Sequence, residues 1–254
     1  MDINAYLNRI NYHGSLDPIA ETLRELQIAH LQTVPFENLS IHKGEPIVLD
    51  DESLFGKVVD RRRGGFCYEL NGLFAALLRN LGFKVEMLAA GVVNSEGVVG
   101  PDFDHMALMV VLEQRWLADV GFGDSFREPL LLDDRGIQTQ DNRDYQIASE
   151  GEYLTLMQRE SGGDWTAQYR FTLQPRVYND YAEMCHYHQT SPDSHFTKAP
   201  LCSLATTDGR ITLSGGRFLT TTGAGEKREL AVSGEAEFAK LLSEHFGIDG
   251  FHIR

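Results

Sequence analysis

Apolar positions recur at helical spacing through the first third of the chain and shift towards alternation near Lys84. Ile3, Tyr6, Leu7 and Ile10 form one stripe behind Asp2, a capping residue, so a short first helix is expected there. A second helix is expected to take Asp17 as its cap and Pro18 as its first residue, to turn Ile19, Leu23 and Leu26 inward, and to stop before Pro35. Asp50 or Asp51 caps a third, with Leu54, Phe55, Val58 and Val59 on its apolar face. Leu70, Leu73, Phe74, Leu77, Leu78 and Leu81, at steps of three and four, bury one face of a fourth, which Gly82 ends. Strand-like runs follow at residues 85–93, 105–112, 115–120, 153–158 and 166–173. Three more are expected at 202–206, 210–213 and 217–221, separated by Asp208-Gly209 and Gly215-Gly216 turns. A last helix over residues 234–246 buries Phe238, Leu241, Leu242 and Phe246. The order is helical, then β-rich, then mixed, an α+β chain.

Composition narrows the class. At 254 residues and 42% hydrophobic content the chain can build a substantial core, in one large or two to three small domains. Its 37 acidic against 23 basic residues give a formal net charge of −14, which argues against a general nucleic-acid binder. Arg61 to Arg63 is the one basic run. No apolar stretch reaches the roughly 18 residues of a membrane span, so no membrane association is expected. Three cysteines, with no apolar signal segment after Met1, point to free thiols in a reducing cytoplasm.

The fourth helix begins at a thiol. Gly64-Gly65 turn the chain, Phe66 and Cys67 follow, and the helical pattern starts at once. Unpaired amides and the positive end of the helix dipole favour an anion there, so Cys67 is expected to ionise more readily than free cysteine and to act as a nucleophile. Such a thiol needs a base and a group that orients the base. His105 opens one strand-like run and Asp119 lies in the next. A two-residue turn at Glu113-Gln114 would set Leu108 opposite Asp119 and put Asp119 on the wrong face. A three-residue loop over residues 112–114 pairs Ala107 with Asp119 and leaves His105 in diagonal reach on the same face, so an irregular hairpin is expected. Taken singly, the cysteine and the histidine fit a core equally well. Asp104 is adjacent in sequence to His105, a poor position from which to orient its imidazole. Cys185-His186-Tyr187-His188, read as alternate residues of one strand, offers too few ligands at the wrong spacing for zinc, and no metal is expected.

The string Arg62-Arg63-Gly64-Gly65-Phe66-Cys67-Tyr68-Glu69-Leu70-Asn71-Gly72 resembles the active-site signature of the arylamine N-acetyltransferases, in the bacterial type. Val34-Pro35-Phe36-Glu37-Asn38-Leu39, Asp104-His105-Met106 and Leu117-Ala118-Asp119-Val120-Gly121-Phe122-Gly123 match in the same order, and Ser191-Pro192-Asp193-Ser194-His195-Phe196 more thinly. The resemblance implies an N-terminal helical bundle over residues 1–83 carrying the nucleophile, a central β-barrel over 84–190 carrying His105 and Asp119, and a C-terminal α/β lid over 191–254. It implies a papain-like Cys67-His105-Asp119 arrangement that passes an acetyl group from acetyl-coenzyme A through Cys67 to an arylamine, hydrazine or N-hydroxyarylamine by ping-pong transfer, a chemistry of xenobiotic metabolism. Gly121, Gly123 and Phe196 would meet the coenzyme, Phe36 and Phe196 the acceptor, and Glu37 with Arg63 would form a structural ion pair. Lys198, Arg217 and Lys227 are candidate phosphate donors. Some relatives carry a longer helical tail than follows the last helix here, which bears on the lid. Three alternatives stay open: an amide synthase of the same fold, a cysteine peptidase or transglutaminase-like enzyme, and a non-enzymatic thiol module.

Overall fold

The computed structural model describes residues 1–223 and 225–252. The chain opens with α1 (Ile3–Arg9), α2 (Ala20–Thr33), β1 (Phe36–Glu37), α3 (Leu39–Lys43), α4 (Asp51–Phe55), a π-helical turn at Gly56–Asp60, and α5 (Cys67–Asn80). The middle holds β2 (Lys84–Val92), β3 (His105–Val111), β4 (Arg115–Ala118), β5 (Leu130–Leu131), β6 (Gln138–Gln140), β7 (Arg143–Glu150), β8 (Tyr153–Glu160) and β9 (Thr166–Arg176). A tight turn at Tyr178–Tyr181 leads to α6 (Ala182–Thr190), a second at His195–Thr197 leads to β10 (Leu201–Thr206), and β11 (Gly209–Ser214), β12 (Arg217–Thr222), β13 (Lys227–Ala231) and α7 (Gly234–Phe246) complete the order.

Local chemistry sets the helix starts. Asp2 accepts from the Ala5 amide at 3.0 Å and Asp50 from the Ser53 amide at 2.7 Å, so α1 and α4 begin behind side-chain caps. Asp17 does not cap α2 as expected. Its carboxylate is drawn back to the Ser15 hydroxyl at 3.2 Å, Ile19 stays extended, and the helix starts at Ala20. Arg9 then ties the bundle, donating to the carbonyls of Val58, Thr33 and Arg63 at 2.9, 2.7 and 3.2 Å.

The middle strands form one antiparallel sheet in the order β5-β4-β3-β2-β9-β8-β7-β6, which curls into a nearly closed barrel. Its two edges meet through side chains instead of a ladder. Gln138 of β6 donates to the Leu131 carbonyl at 3.0 Å and accepts from the Leu131 amide at 2.8 Å. β3 is buried on both faces: Met106, Leu108 and Val110 pack with α5, while Ala107 and Met109 face the barrel interior with Leu117, Tyr169 and Phe171. Alternation therefore puts His105 on the interior face, at the barrel end.

The second sheet runs β1-β10-β11-β12-β13, with α7 packed on it through Phe238, Leu242 and Phe246. Its first strand comes from the N-terminal part of the chain, Phe36 opposite Ser203 and Glu37 opposite Cys202. The segment 185–188, read above as a strand, is helical: Tyr181, Cys185 and His188 are buried at steps of four and three, so its burial has the period of α6.

Candidate active site

Cys67 is the first residue of α5, and the chain before it is held by charge. Phe66 is extended and its amide donates to the Glu69 carboxylate at 3.0 Å, half of a capping box. The other Glu69 oxygen takes Lys57 Nζ at 2.7 Å, Arg63 meets Glu37 at 2.8 Å, and Lys57 lies 3.8 Å from Glu37. Glu37 also accepts from the Leu39 amide at 2.6 Å. The Glu37–Arg63 pair expected from sequence is thus half of a buried four-membered network. Burial alone would raise both carboxyls; Lys57, Arg63 and the Leu39 amide bring Glu37 below its ordinary value, whereas Glu69 stays raised by burial despite Lys57.

The glycines before Cys67 serve close approach rather than the turn. The left-handed residue is Arg62, at φ 53°. A Cβ on Gly64 would lie 1.9 Å from the Pro35 carbonyl oxygen, so only glycine lets this loop lie along Pro35 and β1.

The hairpin joining β3 and β4 pairs Val111 with Arg115 across residues 112–114, and the ladder continues to Leu108 opposite Ala118. That is the three-residue connection that brings His105 and Asp119 to one face. Their contact is direct: His105 Nε2 lies 2.7 Å from Asp119 Oδ2, both residues at most 3% exposed. A carboxylate only accepts, so Nε2 carries the proton and Nδ1 is the nitrogen available to take one. Asp119 Oδ1 accepts from Asn71 Nδ2 and from the Gly121 amide, each at 2.8 Å. Asn71, one turn beyond Cys67, also donates to the Met106 carbonyl at 2.6 Å and accepts from the Val120 amide at 2.8 Å. This side chain joins α5 to β3 and to the segment after β4, and only its place one turn after Cys67 in the signature hinted at it.

Cys67 does not ionise easily on its own. Burial raises its thiol well above the ordinary value, Asp104 and Asp119 add to this, and a hydrogen bond with the Met106 backbone offsets it in part. The expectation of an easily ionised thiol is therefore corrected: desolvation outweighs the helix end, and a thiolate here requires a proton acceptor alongside. Cys185 and Cys202 are also free and buried; burial pushes Cys185 to about 12 and Cys202 well up.

Cys67 and His105 line one cavity of about 1280 Å³ with Phe36, Gly121, Gly123 and Phe196. Phe36 and Phe196 face each other with ring centres 6.2 Å apart. Gly121 presses on the Cys67 backbone: a Cβ there would lie 2.8 Å from Cys67 Cα and from Asn71 Nδ2. Farther along, Arg143 clasps Asp124 at 2.8 and 3.1 Å and Arg210 approaches it at 3.3 Å. Of the three cations proposed for phosphate, Lys227 lines the cavity, while Lys198 donates to the Pro192 carbonyl and Arg217 pairs with Glu229. Among the described residues no His, Cys, Asp and Glu cluster suits a metal ion, and no helix is long and apolar enough to cross a membrane.

Comparison with known proteins gives the family of the chain. A family profile described as N-acetyltransferase covers residues 20–250. An arylamine N-acetyltransferase of Mycolicibacterium smegmatis is 36% identical over 98% of this chain and 92% of its own length. The chain belongs to the arylamine N-acetyltransferase family. It is thereby an acyltransferase. An arylamine N-acetyltransferase / N-hydroxyarylamine O-acetyltransferase of Salmonella typhimurium is 32% identical over 97% of this chain and 88% of its own length. The structure of Mycobacterium marinum arylamine N-acetyltransferase in complex with CoA superimposes with a TM-score of 0.90 at 33% identity, covering 97% of this chain and 93% of that one. The α+β architecture of helical bundle, barrel and C-terminal sheet with its helix is that of these arylamine N-acetyltransferase structures.

Proposed function

We propose that the chain transfers an acetyl group from acetyl-coenzyme A to arylamines, hydrazines or N-hydroxyarylamines in two half-reactions through acetyl-Cys67. The observation that carries this reading is the 2.7 Å bond between His105 Nε2 and Asp119, which fixes the tautomer that leaves Nδ1 as a base in the cavity that Cys67 also lines. In the first half-reaction the thiol proton passes to His105 Nδ1, the sulfur attacks the thioester carbonyl, and the bond to coenzyme A sulfur breaks as that thiolate takes the proton back. As first residue of α5, Cys67 has no helical acceptor for its amide, which is a donor for the developing oxyanion. In the second, the acceptor nitrogen attacks acetyl-Cys67, the carbon–sulfur bond breaks, and His105 receives the nitrogen's proton.

The cavity suits both partners. Phe36 and Phe196 offer faces to an aromatic acceptor, and Arg143, Arg210 and Lys227 on the same wall are cations that coenzyme phosphates could engage in competition with Asp124 and Glu160. The name of the Salmonella typhimurium relative supports arylamine and N-hydroxyarylamine acceptors, and the CoA complex supports a coenzyme A-linked donor. Intact-mass measurement after mixing with acetyl-coenzyme A, without an amine, tests the reading: one added acetyl group is expected, lost in Cys67→Ala. An adduct that survives this change, or that maps to Cys185 or Cys202, would identify a different nucleophile.

A further inference from the structure

Asp104 stands immediately before β3 and lines the cavity with Cys67, His105 and Phe196. It does not orient His105. Its Oδ1 lies 3.0 Å from Nε2 of His188 on α6, and the other imidazole nitrogen of His188 lies 3.1 Å from the Ser194 hydroxyl. The His188 ring is 2% exposed and packs edge-on against Phe66 and Phe196 with centres 6.4 and 5.1 Å away, and stacks on Tyr68 at 6.1 Å. The carboxylate therefore sits against a packed imidazole on the cavity wall, close to His188 Nε2 but without a hydrogen bond to it. Its neighbour is an imidazole and not the permanent cation of an arginine or lysine.

The acceptor nitrogen must reach the carbonyl carbon bonded to the Cys67 sulfur, and so enters the same field. We propose that Asp104, seated beside His188, acts with opposite sign on the two half-reactions, opposing the Cys67 thiolate in the first and stabilising the positive charge that develops on the acceptor nitrogen in the second. This rests on the acyl-transfer reading above. In the first half-reaction negative charge forms at sulfur, and Asp104 is the foremost carboxylate raising that thiol. In the second, the attacking nitrogen becomes cationic until His105 takes its proton, and an anion on the cavity wall favours that state. It follows that the pocket prefers neutral or cationic acceptors to carboxylate-bearing ones. The other titratable groups around this point are His105, Asp119, Cys185, His195 and the phenols of Tyr68 and Tyr181.

Single-turnover kinetics on wild type and Asp104→Asn read the two steps separately, with Cys67 acetylated by acetyl-coenzyme A or by para-nitrophenyl acetate. The variant should be alkylated by iodoacetamide at lower pH, acetylate about threefold to tenfold faster, and lose its acetyl group to para-aminobenzamide slower by a similar factor. Rates that move together, or a pH profile that does not move, overturn the inference. Wild type alone gives a second reading: acetyl-Cys67 should turn over more slowly with para-aminobenzoate than with para-aminobenzamide, and equal or faster turnover refutes the role. Loading by the nitrophenyl ester but not by acetyl-coenzyme A would discard the donor while leaving both arms measurable.

Discussion

At the scale of single residues, Asp119 carries more than one duty. One oxygen fixes His105 and the other accepts from Asn71 and the Gly121 amide, so every strong acceptor position faces a donor. Asp119→Asn must turn its own NH2 towards one of these donors. Acetyl-Cys67 formation is expected to fall by about three to four orders of magnitude, through loss of the His105 tautomer. Stability should fall as well, by about 1–3 kcal/mol, because a buried donor loses its acceptor. Quench-flow mass measurement and urea unfolding of the variant check the two effects. A variant that unfolds like wild type would mean Asn71 and Gly121 find other acceptors. Asp104→Asn is the matching control: it should keep the acetyl adduct, since Asp104 contacts His188 instead of His105. The helix start at Cys67 and the shared face of His105 and Asp119 were legible because a helix start and a hairpin register are local patterns. Asn71 and His188 escaped it because their partners, Met106, Asp119 and Asp104, lie 35, 48 and 84 positions away in sequence.

At the scale of elements, the buried charges decide how α5 begins. Glu37 on β1, Lys57 in the π-helical turn, Arg63 in the loop and Glu69 on α5 connect four segments, and each charge balances another. Glu37→Gln removes the negative charge and one of the two oxygens, Oε1 serving Arg63 and Oε2 the Leu39 amide, leaving cationic groups short of a partner in a site where Glu37 is 0% exposed. A loss of about 3–5 kcal/mol is expected in chemical denaturation, against under about 1 kcal/mol for exposed charges. An unchanged melting temperature would show the network to be dispensable. Elements were legible where periodicity was long: α5, β3 and α7 each carry several buried positions in step. β7 buries only Asp144, Tyr145 and Ile147 and β13 buries none of its residues, so neither has an apolar rhythm to read. β1 is two residues long and is held by pairing with β10 and by a bridge to Gly65, long-range causes that no local pattern encodes.

At the scale of the whole molecule, acid should loosen the helical bundle before it reaches the carboxylate network. His30 on α2 is 0% exposed, both its ring nitrogens lack a hydrogen-bond partner, and it packs against Tyr6 and Phe74. Burial, with the Arg9 charge nearby, lowers its pKa to about 3. The folded value is below the ordinary 6.5, so as pH falls through 6.5 the unfolded chain takes up a proton that the folded chain refuses. The stability contributed by neutral His30 is therefore present above pH 6.5 and is lost progressively down to about 3, at up to about 1.4 kcal/mol per pH unit. Glu37, held below its ordinary value, adds a loss that begins only under about pH 4.5. Urea midpoints of wild type should consequently fall between pH 7 and pH 5, where carboxylates contribute little. His30→Leu keeps the site apolar and removes that titrating ring, so its midpoint should fall less steeply over that interval, the remaining slope coming from His42 and His195, which burial also holds below the ordinary value. A slope as steep as that of wild type would assign the acid sensitivity to another group.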